Sequence, residues 1–201
     1  RVKQFAGKNI KLNTSAFSGY LYRAASTFFP VPYSFFFGRK SDVTHFFNYI
    51  VPPFVHGKKV VTVHDMVYKA FPETVRGRTR FMLEMGLKRS MKRADLIVTD
   101  SEFSKAEIIK YFPQHEHKIR VVPCGVDLER FHPCETPERI PEVKKSLEIE
   151  GDYFLYLGTI EPRKNLERLI SAYAAFAKKV GEYAPKLVLA GGKGWLNDGI
   201  Y

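Results

Sequence analysis

Short apolar runs, each followed by polar or glycine residues, recur along this chain. VVTV (60–63), LIVT (96–99) and YFLYL (153–157) consist of β-branched, aliphatic or aromatic side chains. Continuous runs of this kind are typical of strands that are buried on both faces of a parallel sheet. Polar segments with periodic apolar residues lie between them and predict helices. Because strands alternate with helices, the sequence predicts an α/β fold with parallel sheets.

The same pattern predicts where the elements and domains lie. Strands are expected at 42–51, 58–65, 96–100, 119–123, 153–157 and 186–190, and helices at 76–93, 104–112 and 165–180. Ser104, with Glu107 three residues later, predicts a capping box for the second of these helices. A stretch rich in Pro, Glu and Lys at 132–146 indicates a crossing between domains. We therefore expect one domain over 1–131 and the start of another over 132–201.

The corner that follows the strand at 153–157 carries the most informative chemistry. Gly158 and Thr159 end the strand, the adjacent cations Arg163 and Lys164 follow, and Asn165 is a suitable N-cap for the next helix. Cations beside a helix N-terminus, past the carboxyl end of a strand, favour a phosphate or diphosphate site. Solvated loop charges are the alternative interpretation.

Other predicted strands also end in polar or glycine residues, where ligands gather in parallel sheets. His64 follows one strand and could donate a hydrogen bond to a diphosphate, with Asp65 orienting its ring. A core histidine that bonds a backbone carbonyl is the alternative. Gly191 and Gly192 follow another strand, and they permit either close approach to a nucleotide or a simple strand-to-helix turn.

Composition limits the class of protein. With 45% hydrophobic and 26% charged residues, the chain is neither disordered nor fibrous. Its two cysteines, Cys124 and Cys134, form no C-x-x-C motif, and no Asp-x-Asp motif occurs, so we expect no disulfide framework, metal site or cofactor. No apolar run is long enough for a transmembrane helix, and two ordinary thiols suit a reducing, cytoplasmic compartment.

The net charge of +11 is unevenly distributed. The first 93 residues hold seventeen cations and four anions, whereas the remainder is nearly balanced. Such a basic region is attracted to anionic membranes or other polyanions. Two segments combine aromatic and basic residues: 28–37, flanked by Arg23, Arg39 and Lys40, and 74–93. They predict peripheral membrane contact, unless their aromatic residues are core. No nucleic-acid-binding motif is present, so no nucleic-acid partner is expected.

Four segments together resemble the family 4, or group 1, glycosyltransferases. They are VVTVHDMVYKAFPE at 60–73, ADLIVTDSEFSKAEI at 94–108, IRVVPCGVDLERFHP at 119–133 and GTIEPRKNL at 158–166. They occur in the order that is usual for that family. The resemblance extends over roughly 42–192, and residues 1–40 match more loosely.

This resemblance implies a GT-B fold with two Rossmann-like domains and an active site between them. The first domain, on the acceptor side, would be nearly complete and would lack its first strand. Only the start of the second, donor-binding domain would be present. The family's acidic E-x7-E motif would lie past Tyr201, so we expect the 201 residues alone to be inactive.

The resemblance also implies site residues and substrates. The counterpart of His64 faces the donor sugar, and that of Lys164 contacts the diphosphate. Thr159 stands where the family often has an arginine, which leaves Arg163 as the second phosphate contact. A nucleotide sugar, with mannose as one candidate, would be the co-substrate, without a metal. The acceptor would be a saccharide or a lipid-linked molecule. Transfer would retain the anomeric configuration of the sugar, and the product would be a cell-surface polysaccharide.

Two further hypotheses stay open on the residues alone. The basic first half suits a non-catalytic module that binds membranes or polyanions. Another GT-B-like enzyme that handles sugar phosphates would share the same architecture. A glycosyltransferase requires nucleotide-specific, saturable binding, whereas a polyanion-binding module requires binding that falls steeply with salt.

Overall fold

The computed structural model describes residues 19, 21–22, 29, 31–37, 41–133, 135–195 and 200. The chain divides into two compact units, Arg1–Gly125 and Val126–Tyr201. Gly125 therefore ends the first unit, and the predicted border between 131 and 132 lies inside the second. Among the described residues, no helix is both long and apolar enough to cross a membrane.

A four-stranded parallel sheet forms the centre of the first unit. Its strands are β1 (Val43–Phe46), β2 (Lys58–Thr62), β3 (Leu96–Thr99) and β4 (Ile119–Val121), and they lie side by side in chain order. The helices whose full bounds lie in the described part of this unit are α1 (Tyr33–Phe37), α2 (Val67–Ala70), α3 (Gly77–Arg93) and α4 (Glu102–Tyr111), with 3₁₀ turns at Pro72–Thr74 and Pro113–Lys118. The arrangement confirms the predicted α/β, Rossmann-like class.

The core of the first unit lies between this sheet and its helices. Val61, Ile97 and Ile119 of three adjacent strands are fully buried, and Leu87 of α3 and Ile108 of α4 belong to the same cluster. Each such side chain contributes about 1.5–3 kcal/mol when it is removed from water. The short runs that predicted the strands therefore also supply the core.

α4 begins at Glu102, two residues earlier than predicted, and its cap lies three residues before the predicted one. Ser101 has an extended backbone, and its Oγ accepts a hydrogen bond from the Ser104 amide at 3.1 Å. Glu107 instead lies 3.4 Å from Lys110 Nζ. The predicted capping box of Ser104 and Glu107 is wrong, because a serine directly after β3 caps the helix first.

A buried serine fixes the segment that follows β1. Ser90 Oγ on α3 donates to the Tyr49 carbonyl and accepts from the Val51 amide, both at 2.7 Å. Tyr49 has a φ of +56°, which is uncommon for a bulky residue. This turn explains why β1 ends at Phe46, earlier than predicted. The contacts with Ser90 hold the turn in place.

The second unit contains a smaller parallel sheet. β5 (Tyr153–Leu157) pairs with β6 (Lys186–Ala190), and the helices are α5 (Arg139–Ser146) and α6 (Leu166–Val180), with 3₁₀ turns at Pro162–Lys164 and Gly181–Tyr183. The prediction that β5 is buried on both faces is wrong, because Leu157 is 77% exposed and its neighbours are largely exposed too. Among the described residues β5 has only β6 beside it, and Phe154 packs against Phe176 of α6 at 5.7 Å between ring centroids.

Candidate functional site

Two polar side chains contact each other at the carboxyl edge of the first sheet, and a third lies near them. His64 follows β2, Asp100 follows β3 and Cys124 follows β4. His64 Nδ1 lies 2.7 Å from Asp100 Oδ2, and the exposed Cys124 thiol is near enough to this carboxylate for Asp100 to raise its pKa. Parallel strands end at the same edge, so residues that are far apart in the chain are brought together there.

The second ring nitrogen of His64 is also engaged. Its Nε2 lies 2.9 Å from the Phe47 carbonyl oxygen. A carbonyl and an ionised carboxylate only accept hydrogen bonds, so both contacts are satisfied together only when both ring nitrogens carry protons. Burial by itself lowers the pKa of His64, but the bonds to Asp100 and Phe47 and the nearby carboxylate charges raise it overall. The two contacts and the raised pKa therefore favour the protonated, imidazolium form of His64.

The predicted pairing of His64 with Asp65 is wrong. Asp65 Oδ1 accepts hydrogen bonds from the Tyr49 hydroxyl and the Val67 amide, each at 3.1 Å. Successive side chains on an extended backbone point to opposite sides, so neighbours cannot easily contact each other. Asp65 instead joins the Tyr49 turn to the start of α2. Burial, followed by the charge of Asp65, raises the pKa of the Tyr49 hydroxyl.

Sequence reasoning did not select Asp100 or Cys124 as site residues. The available signal was their position, since each comes shortly after a predicted strand. The nearby Asp100 carboxylate raises the pKa of the Cys124 thiol, which disfavours the nucleophilic thiolate form.

The two cations of the second unit have different environments. Arg163 Nη2 lies 2.7 Å from Glu161 Oε1, and the Glu161 side chain is only 10% exposed, against 41% for Arg163. Lys164 is exposed, and no ion pair involves it in the part of the chain that the structure describes. The charge of Arg163 is thus already paired, whereas that of Lys164 is uncompensated.

The start of α6 lies directly beside Lys164. Asn165 is the N-cap, as predicted, but it has a left-handed backbone (φ +54°) and its side chain makes no capping hydrogen bond. The side chain therefore leaves the first amides of α6 uncovered. These amides carry the positive end of the helix dipole, which attracts anions. Glu167 in the first turn provides a partial counter-charge.

The glycines of the second unit allow two loops to approach each other. A side chain at Gly191 would overlap the Gly158 carbonyl, whereas Gly192 has open space around its Cα. The Gly158 amide donates to Ala190 at 2.9 Å, and the Ile160 amide donates to Gly192 at 3.0 Å. Close packing of the strand ends explains Gly191. The roles of Gly158, Thr159, Gly191 and Gly192 in donor binding remain predictions.

Two further observations limit what the site contains. Within the described ranges, no three His, Cys, Asp or Glu side chains are grouped closely enough to hold a metal ion. A cavity of about 410 Å³ lies near the opposite edge of the first sheet, where β2 begins. Its lining comprises Pro52, Pro53, Phe54, Val55, Lys59 and Arg93. This cavity does not belong to the cluster around His64.

Comparison with known proteins agrees with these features. Residues 12–130 match the family described as Glycosyltransferase Family 4. The O-antigen chain mannosyltransferase B of Escherichia coli is 33% identical over 165 residues, which are 81% of this chain and 42% of that protein. The E. coli serotype-specific mannosyltransferase WbdA is 29% identical over 134 residues, 66% of this chain and 16% of that protein. The Bacillus subtilis putative glycosyltransferase YtcC is 32% identical over 115 residues, 55% and 28% of the respective chains.

The chain spans less than half the length of each of these relatives. The family match nevertheless covers more than half of the chain, and it includes the sheet whose carboxyl edge carries His64 and Asp100. By this match, the chain belongs to glycosyltransferase family 4.

Proposed function

We propose that this protein is a mannosyltransferase of cell-surface polysaccharide synthesis. It would transfer mannose, with retention, from a nucleotide sugar to a saccharide or lipid-linked acceptor. The similarity over 81% of the chain to a protein named as an O-antigen mannosyltransferase is the observation that carries this proposal. WbdA, also named as a mannosyltransferase, supports the same sugar. We place the reaction in the cytoplasm, with the protein in peripheral contact with an anionic membrane.

The donor diphosphate would bind at the corner between β5 and α6. Lys164 supplies an uncompensated charge, and the first amides of α6 supply donors with a favourable dipole. A cation about 4 Å from a phosphate contributes about 1 kcal/mol of binding free energy in bulk water, and more where the pair is partly shielded from solvent. Such contacts can neutralise a leaving diphosphate without a divalent ion.

Arg163 would contribute differently from Lys164. Its ion pair with the nearly buried Glu161 fixes the guanidinium close to the corner but neutralises its charge. Arg163 can therefore orient the diphosphate by hydrogen bonds, while Lys164 supplies most of the electrostatic attraction. The resemblance gave Lys164 the main diphosphate contact and Arg163 the second, and the ion pair of Arg163 with Glu161 separates their roles further.

His64 would act as a hydrogen-bond donor toward the donor substrate. In the free protein its Nε2 bonds the Phe47 carbonyl. We propose that a substrate oxygen replaces that carbonyl while Asp100 keeps its contact with Nδ1. Asp100 is then a positioning residue, because it holds the protonated ring in place as negative charge develops on the leaving group.

Calorimetric titration of GDP-mannose tests the donor site. We expect saturable binding that weakens about 5- to 30-fold in Lys164→Ala, because loss of one exposed cation removes about 1–2 kcal/mol. Lys178→Ala is the matched control, since this exposed lysine lies in the last turn of the same helix. Its affinity should stay within twofold of the original.

Three results would contradict the proposal. Equal affinity in Lys164→Ala and Lys178→Ala would remove the corner from the donor site. Binding that falls steeply with salt and does not distinguish GDP-mannose from other nucleotides would indicate a polyanion-binding module. Preference for free mannose phosphate over the nucleotide sugar would favour a different sugar-phosphate enzyme.

A further inference from the structure

α3 has an outer face that carries two large apolar side chains. In the structure Leu83 and Leu87 are buried against the sheet, whereas Phe81 is 67% and Met85 50% exposed. Residues 81 and 85 are one turn apart and lie on the side of the helix away from the buried positions. Two large apolar side chains therefore project from the surface of the first unit.

Cations surround this exposed pair. α3 contains six cations and one anion, and the anion Glu84 pairs with Arg80 at 3.1 Å. Positions 78, 81, 85, 88 and 92 follow at three- and four-residue intervals, so they lie along one side of the helix. We call this surface the α3 strip: Arg78, Phe81, Met85, Lys88, Arg89 and Lys92. No ion pair in the described residues involves Lys88, Arg89 or Lys92.

The other aromatic segment, 28–37, is exposed only in part. Tyr33, Phe36 and Phe37 pack around the buried ring of Tyr22, with centroids 5.0–5.8 Å apart. The interpretation of this segment as an interfacial surface is therefore wrong for these three rings. Phe29 and Phe35 remain exposed. The flanking residues Arg23, Arg39 and Lys40 lie outside the described residues. The α3 strip is thus the better-supported membrane contact.

We infer that the α3 strip binds the surface of an anionic lipid bilayer. Phe81 and Met85 would enter the boundary between headgroups and acyl chains, while the surrounding cations contact lipid phosphates. Lysine and arginine can keep their charges at headgroup level while their aliphatic stems lie along apolar surface. A nucleic acid would satisfy the cations but would leave the exposed apolar pair without an apolar partner.

The position of α3 relative to the sheet relates the α3 strip to the proposed reaction. α3 lies in the connection from β2 to the parallel strand β3, so it begins near the carboxyl edge of the sheet. A membrane bound along the strip would lie beside the edge that carries His64. A lipid-linked acceptor could then reach that edge without leaving the bilayer. This consequence rests on the proposed function, whereas binding of the strip to lipid does not.

Co-sedimentation with vesicles tests the inference. The protein would be mixed with vesicles of phosphatidylcholine containing about one-third phosphatidylserine, or of phosphatidylcholine alone. We expect binding to the anionic vesicles only, reduced at least tenfold in the triple variant Lys88→Gln, Arg89→Gln, Lys92→Gln, because each cation near such a surface is worth about fivefold. The double variant Phe81→Ser, Met85→Ser should also lose at least fivefold.

Matched controls separate the strip from general charge and exposure. Lys178→Gln with Lys179→Gln removes cations from α6, and Phe103→Ser removes another exposed ring, on α4. Both should bind vesicles like the original protein. All altered positions are exposed, so thermal unfolding should be unchanged, and GDP-mannose binding should be retained if the donor proposal holds. If donor binding fails while vesicle binding behaves as expected, the result contradicts the donor proposal and still supports the lipid inference.

Three results would overturn the inference. Vesicle binding that is unchanged in both strip variants would show that α3 is not the contact. Loss only in the glutamine variant, with Phe81→Ser, Met85→Ser unaffected, would indicate a simple polyanion surface. Equal loss in the controls would show that net charge, rather than this helix face, determines binding.

Discussion

Substitution of Ser90 by alanine tests how the candidate site is held in place. The Ser90 hydroxyl contacts two backbone groups at 2.7 Å, the Tyr49 carbonyl and the Val51 amide, and Ser90 itself is fully buried. In Ser90→Ala both groups lose their partner in an environment that water does not readily reach. The segment they belong to also carries the Phe47 carbonyl that contacts His64. We therefore expect both stability and site geometry to suffer.

The size of the effect follows from these contacts. Each buried polar group that loses its partner costs about 1–3 kcal/mol. Alanine has a higher helix propensity than serine, which offsets about 0.5 kcal/mol of this loss. The expected net loss is about 2–5 kcal/mol in the free energy of unfolding, a large part of the 5–15 kcal/mol of an ordinary domain.

Urea unfolding measured by far-ultraviolet circular dichroism checks this expectation. The chain has a single tryptophan, Trp195, which lies in the second unit, so its fluorescence reports that unit separately. Hydrogen exchange of the peptide around residues 47–51 should accelerate in the variant. Ser171→Ala is the matched control, because its hydroxyl contacts only the Glu167 carbonyl on the exposed surface of α6. A loss below about 0.5 kcal/mol in Ser90→Ala, or an equal loss in the control, would refute the reasoning.

Two other changes test the site directly. The pKa of His64 is raised above its unfolded-state value of about 6.5. The ion pair of His64 with Asp100 should therefore stabilise the fold fully below about pH 6.5, and this stabilisation should be lost as the pH rises through the folded-state pKa. Histidine ring titration by NMR should show this pKa falling in Asp100→Asn but not in Asp65→Asn, and the same fall in both would contradict the assigned pairing. Gly191→Ala should destabilise the second unit because the added methyl meets the Gly158 carbonyl, while Gly192→Ala has open space. Trp195 fluorescence during unfolding would measure both, and equal stability of the two variants would count against the close approach.

Much of the fold could be predicted from local pattern. The apolar runs located the six strands that the structure describes, and the helix over 76–93 was correct within one residue at its start. Local pattern wrongly predicted that β5 is buried on both faces, because the burial of a strand depends on how many other elements pack against it. It also placed the cap of α4 at Ser104, because serines at 101 and 104 are both plausible caps and only the backbone at Ser101 distinguishes them.

The candidate site was predictable in position but not in its contacts. His64, Arg163 and Lys164 follow strands and could be found from that alone. The partner of His64 is 36 residues away in the chain, on the neighbouring strand. The turn of the chain between Glu161 and Arg163 neutralises one of two adjacent cations and leaves the other exposed. No spacing rule separates those two residues.

The sequence by itself determined the alternation of strands and helices, the basic character of the first half and the family. These properties depend on side-chain type and short-range periodicity, which the chain carries before it folds. Tertiary structure alone decided that Asp100 rather than Asp65 holds His64, that Lys164 keeps an unpaired charge, and that Phe81 and Met85 face outward. Each of these depends on which strand lies beside which and on the face of α3 that meets the sheet. Such contacts join residues far apart in the chain, so local patterns do not encode them.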